Sequence, residues 1–223
     1  MKKTFTSLLI AATLAFSCVP LASAELLFNN YTPEIDPVTS GPGSYTVGTE
    51  FTVGAQAVAV TKLGVFAGTG VFQDTPVGIW SVSDQSLVGS AVITSNAAAN
   101  VVRIQDWYMV DVTPFTLAAN GVYRIGTQNM GSDLGWGGTF QPGSGIASVS
   151  PGSVWSPLPD WSAPDPFYGQ TFMYPTDYYP DDPFIAAANA EIAPVPEPAE
   201  WTMLLAGLLV VGFIARRRER HLL

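Results

Sequence analysis

The chain has 223 residues, with 9 Lys and Arg against 18 Asp and Glu and a net charge of −9. Its single cysteine, Cys18, and single histidine, His221, lie near the two ends, so the body between them has no thiolate and no imidazole. Ser-His-Asp and Cys-His catalysis, disulfides and an ordinary zinc site are thereby excluded from that body.

The first segment reads as a leader. Lys2 and Lys3 form a charged start, Leu8 to Ser17 is mostly apolar, and Ala22-Ser23-Ala24 supplies small residues for a signal peptidase. Removal of a signal peptide, 1–24, leaves Glu25 as the new N-terminus. Lipidation at Cys18 would want an aliphatic residue three positions earlier and a small one two earlier, which Ala15 and Phe16 do not supply. A retained helix is disfavoured because the apolar stretch is too short to span and runs into Pro20.

Residues 25–44, rich in Asn, Pro and Gly, read as an irregular lead-in, with one strand near Leu26 to Phe28. From Tyr45 the pattern alternates. Val47, Phe51 and Val53 share one face, and 57–66, 77–82, 87–94, 101–112 and 121–128 follow as apolar, β-branched runs with short turn-rich links. Asp84 and Gln85 mark one turn, and Asn120-Gly121 another. This spacing predicts an all-β fold, an antiparallel, jelly-roll-like β-sandwich over 45–182. Within it, 131–182 is dense in Gly, Pro and aromatics. It is expected to form one or two strands, mainly 134–140 and 168–174, joined by long loops. Residues 183–195 read as a linker, with a short helical turn at Pro183 to Ala190.

Charge is uneven along this order. Residues 25–194 hold only Lys62, Arg103 and Arg124 as cations and carry a net charge of −12. Such a surface repels phosphate backbones, so no nucleic-acid partner is expected. Glycine-rich phosphate loops are absent, which leaves nucleotide binding without support.

The end of the chain, 196–220, has three parts. Pro196-Glu197-Pro198 is stiff and extended, because each proline fixes φ and biases its predecessor away from helix. Trp201 to Ala215 carries no charge, and a helix there would cover roughly 22 Å of an about 30 Å hydrocarbon core. Arg216, Arg217, Arg218 and Arg220 would then stay in the cytoplasm. The chain is thus expected to be held in the inner membrane by a C-terminal transmembrane helix, 201–215, with its body outside. An ordinary anchor explains the helix and the arginines, but not the extended tripeptide before so short a span.

In order and position, VPEPAEW, the apolar run and ARRR resemble the bacterial PEP-CTERM sorting signal. That resemblance covers about 25 residues, Val195 to Arg220. It implies recognition by an exosortase, a membrane-embedded transpeptidase-like enzyme that cuts near Pro-Glu-Pro and delivers the body to the cell surface or outside the cell. It also implies a Gram-negative host that makes exopolysaccharide and biofilm matrix. The middle of the chain, 57–127, is similar to exported bacterial β-sandwich modules of unknown function, through Gly78-Ile79-Trp80 and Asn120-Gly121-Val122-Tyr123. That likeness transfers no catalytic residue.

Two chemistries remain for the body. A glycosidase needs two carboxylates roughly 5–10 Å apart, and Asp106, Asp111, Asp133 and Asp160 are the acids available. Nothing in their spacing singles out a pair, and solvated surface acids are the simpler account. The other chemistry is glycan binding on the long loops. Trp155 and Trp161, each near prolines, are the stacking candidates, with Asp160 and Asp165 accepting hydroxyls or ligating calcium. The competing account makes these aromatics part of the core. The sequence therefore predicts a non-catalytic surface or matrix protein with no obligate cofactor, and a carbohydrate-binding module as the alternative.

Overall fold

The computed structural model describes residues 23–39, 45–68, 74–94, 100–128, 133–156, 172–195, 206–209 and 211. Nearly all regular structure in them is β. The strands in chain order are β1 (Glu25–Leu26), β2 (Phe28–Thr32), β3 (Ile35–Thr39), β4 (Thr46–Val53), β5 (Val58–Phe66) and β6 (Thr75–Ser81). They continue as β7 (Leu87–Ile93), β8 (Val101–Ile104), β9 (Trp107–Leu117), β10 (Val122–Gln128), β11 (Asp133–Trp136) and β12 (Thr139–Pro142). The last are β13 (Ile146–Val149), β14 (Ser153–Trp155), β15 (Asp177–Tyr179), β16 (Ile185–Ala186) and β17 (Ala188–Pro194).

Two antiparallel sheets dominate. One runs β1-β17-β5-β9-β8, and the larger runs β15-β14-β4-β10-β6-β7, with β13 also on β4. A single hydrophobic cluster joins them. Phe51, Val53, Val77, Ile79 and Ile125 come from the larger sheet, and Val60, Leu63, Trp107, Met109 and Ile192 from the other. This arrangement is consistent with an all-β sandwich. Two small sheets, β16-β11-β3 and β12-β2, complete the described residues.

Most predicted runs are strands with nearly the predicted bounds, and both turns sit where expected. Gln85 and Asn120 adopt left-handed φ values of 59° and 57°. Asp84 accepts from the backbone N–H and hydroxyl of Ser86 and so closes the first turn.

Several expectations need correction. The 101–112 run is a hairpin, β8 and β9, because Gln105 turns left-handed at φ 53°. The predicted 134–140 strand is broken by Gly137 and Gly138, at φ 61° and 100°, into β11 and β12. The predicted 168–174 strand is not found in its described part, 172–174. The irregular lead-in 25–44 instead contributes three short strands, whose Asn and Pro are tolerated because the strands lie at sheet edges. Asn189 helps to seat it. Its buried side-chain amide donates to the Phe28 carbonyl at 3.0 Å and accepts from the Phe28 N–H at 3.1 Å, as a neighbouring strand would.

The linker 183–195 with its helical turn is also corrected, since β16 and β17 occupy it. Strand β17 lies inside a sheet between β1 and β5. Its Ala188, Ala190 and Ile192 are buried, and small side chains suit that crowded position better than their helical propensity suggests. On the other face of β17, Glu191 pairs with Lys62 of β5 at 2.6 Å. That hydrogen bond holds the Lys62 ammonium above its ordinary pKa.

The larger sheet has an unusual outer face. Gly48, Gly126 and Gly78 lie side by side on β4, β10 and β6. Without side chains this row is a furrow, and residues 172–176 run across it. Phe172 packs over Gly78 and against Trp80, with ring centroids 4.7 Å apart. Residues 206–209 and 211 are helical. No helix among the described residues is long and apolar enough to cross a membrane.

Candidate functional site

The sorting residues Pro196, Glu197, Pro198, Arg216, Arg217 and Arg218 lie outside the described residues, as do the glycan candidates Trp161, Asp160 and Asp165. Trp155 is described, and its expected place on an exposed loop is corrected. It ends β14, which pairs with β4 and β15, and its ring is buried with Val47, Leu134, Ile185 and Ala187 in a second apolar cluster. Tyr45 and Trp136 pack beside it, at centroid distances of 5.2 and 6.5 Å. Its indole N–H donates to the Ser153 hydroxyl at 2.7 Å, and Ser153 in turn donates to Asp182 at 3.2 Å. A ring committed to these neighbours has no free face for a sugar. The prolines of the flanking sequence suggested a loop, but the Ser-Val-Trp triplet completes a sheet.

Among the candidate acids, Asp106 turns β8 into β9 and pairs with Arg103 at 3.2 Å. Asp111 lies further along β9, reaching Lys62 at 3.4 Å. Five residues of strand separate the two acids by roughly 16 Å, beyond the span of a glycosidase pair. Only the backbone of Asp133 is described. Among the described residues, no group of His, Cys, Asp or Glu is gathered to hold a metal ion.

Two features escaped the sequence reading. The first is the Arg124 clamp on the outer face of the larger sheet. Arg124, on β10, is buried. Its Nε donates to Glu50 on β4 at 2.9 Å, and its Nη1 donates to the carbonyls of Pro175 and of Thr176, the latter at 2.9 Å. The guanidinium also stacks over Tyr174 at 5.2 Å, and burial raises that phenol above its ordinary pKa. The clamp pins 172–176 into the glycine furrow. Both the Nε and the Nη1 of Arg124 are committed to the fold, and in that role the group acts as a fastener.

The second is a cleft of about 480 Å³ between β7 and residues 110–115 of β9. Ser90, Asn100, Asp111, Thr113 and Phe115 line it. Phe115 lies against Gly89, where a Cβ would overlap its ring. The lining offers hydroxyls, an amide and one carboxylate, which can hydrogen-bond a polyol. It holds no nucleophile paired with a base. No motif announces this cleft, because strands far apart in sequence build it.

No protein-family model matches the chain, and no curated protein matches it either.

Proposed function

We propose that the protein is an exported, exosortase-processed surface or extracellular-matrix protein of a Gram-negative bacterium. In this reading it is non-catalytic and linked to exopolysaccharide and biofilm. Signal peptidase removes 1–24, and the 201–215 helix holds the chain in the inner membrane until processing near Pro196-Glu197-Pro198. A jelly-roll-like sandwich is what reaches the surface. The observation that carries the reading is the order of Pro-Glu-Pro, apolar run and arginines in 196–220.

The domain's boundary supports it. The last strand, β17, ends at Pro194, and the Val195 N–H still bonds the Ala57 carbonyl at 2.9 Å. A cut two or more residues later leaves every sheet whole. Mass spectrometry of the secreted protein, in hosts with and without the exosortase, tests this. The expected mature product ends near 196–198 only when the enzyme is present. A wild-type product that retains Trp201 to Leu223 would refute processing.

Carbohydrate binding, with or without calcium, is the second reading. Trp161, Asp160 and Asp165 in the segment 157–171, and the polar lining of the β7–β9 cleft, are what favour it. Under this reading Trp161→Ala weakens retention on the host's own polysaccharide while leaving the melting temperature unchanged. Retention equal to wild type would remove Trp161 from the binding role.

A further inference from the structure

We infer that two copies of this chain pair edge to edge through β7, antiparallel about Ser90. Strand β7 is the last strand of the larger sheet, and among the described residues nothing pairs with its outer edge. Such an edge is a template for another strand unless charge, proline, shortness or a bulge blunts it. The other sheet ends are blunted. Strand β1 has two residues, β15 has three and carries Asp177, and β8 has four and carries Arg103. Strand β7 has seven residues, LVGSAVI, with neither charge nor proline, and its one bulge, at Val88, leaves 89–93 in regular register.

The same seven residues fit a second copy of themselves. Read outward from Ser90 in either direction, they offer a small residue, then Val, then Leu or Ile. Antiparallel pairing about Ser90 sets Gly89 against Ala91 and, because of a bulge at Val88, Leu87 against Val92, an isologous contact.

The backbone points the right way as well. The Pro76 carbonyl accepts from Thr127 on β10, so Pro76 directs its polar group away from β7. Its neighbours Thr75 and Val77 then face β7, opposite Ile93 and Ala91. This leaves Ser90 and Val92 with N–H and C=O aimed at the free edge.

Side chains agree with that register. A bulge between Ile79 and Trp80 makes Leu87, not Val88, the partner of Trp80. Leu87 and Val92 consequently both stand on the outer face, 48% and 50% exposed. In the pair, Leu87 of one copy meets Val92 of the other on each side of Ser90. The interface is small beside the roughly 1,600 Å² of a standard one, so association is weak and concentration-dependent. The inference rests on the fold and not on the sorting reading.

The test uses the full chain with Cys18→Ser as background. Ser90→Cys places two thiols across the axis at a Cα separation of about 5 Å, within disulfide range. Ser83→Cys, exposed in the β6–β7 turn, is the control. Mild oxidation is expected to link the Ser90→Cys chains about tenfold faster, and Val92→Lys should lower self-association by about tenfold at an unchanged melting temperature. Equal cross-linking at the two positions, or association that Val92→Lys leaves untouched, would overturn the proposal. Because the apolar 201–215 segment is present in every variant, association through it would be insensitive to both changes.

Discussion

Arg124→Met is expected to lower folding stability by about 3–5 kcal/mol, the usual cost of removing one partner from a buried ion pair. For a chain of this size that corresponds to a fall of roughly 6–20 °C in melting temperature. The loss has three parts. Glu50 keeps a largely covered carboxylate without its cation. The carbonyls of Pro175 and Thr176 lose their donor. Residues 172–176 lose their pin, so the cover over the furrow loosens. Arg124→Lys should not restore stability, because an ammonium cannot serve a carboxylate and two carbonyls in the fork geometry of guanidinium. Glu50→Gln should cost less, since the carbonyl contacts survive. Denaturant unfolding of the three variants measures the order. A loss under about 1 kcal/mol for Arg124→Met would show the clamp to be incidental.

Gly48→Ala is expected to cost about 3 kcal/mol or to prevent folding. A Cβ there would overlap the Ile125 carbonyl oxygen in the adjacent strand, with the Gly126 Cα close behind at 2.6 Å. Backbone cannot yield as a side-chain tip can, so β4 and β10 would have to separate at the middle of the larger sheet. Gly78→Ala provides the comparison. Its Cβ would meet only the ends of Leu87 and Phe172, at 3.0 Å, and rotation of either relieves the contact. The expected order in thermal melts is therefore Gly48→Ala well below Gly78→Ala, with wild type highest. The reverse order would mean that packing of Phe172, not strand spacing, demands the glycine row.

The sequence made the central strands legible for a physical reason. In 46–53, 75–81 and 122–128 the residues facing the core, such as Phe51, Val53, Val77, Ile79, Tyr123 and Ile125, are large and mostly apolar, whereas those between them are mainly Gly, Thr or charged, so residue type alternates even where the outer face is covered. The turns at Gln85 and Asn120 were legible through residues that tolerate left-handed φ. The ends of the domain were not. Strand β17 is an Ala-rich run, ANAEIAP, whose small residues fall on both faces, so it shows no contrast of large apolar against polar positions. Strands β1 to β3 are short and pair with strands distant in sequence, β17, β12 and β11, so they leave no periodic trace. The same limit applies to Trp155. Nearby prolines argued for a loop, whereas the ring's surroundings come from β4, β11 and β16, distant in sequence. The cleft and the Arg124 clamp belong to this class too, since each gathers residues from separate strands.

Thr46 gives the segment 157–171 a property of its own. Its N–H bonds the Ser156 hydroxyl at 2.9 Å and its carbonyl accepts from the Ser156 N–H at 2.8 Å, while its hydroxyl accepts from the Met173 N–H at 3.2 Å. Both ends of the segment are thus fastened to one residue of a central strand. Lengthening a chain between fixed ends adds only about 0.6 kcal/mol of closure entropy for each doubling. The body should accordingly accept inserts of very different length and composition between Ser156 and Phe172. One residue of a central strand therefore holds both flanks, so a change of length between Ser156 and Phe172 leaves their register on β4 unaltered.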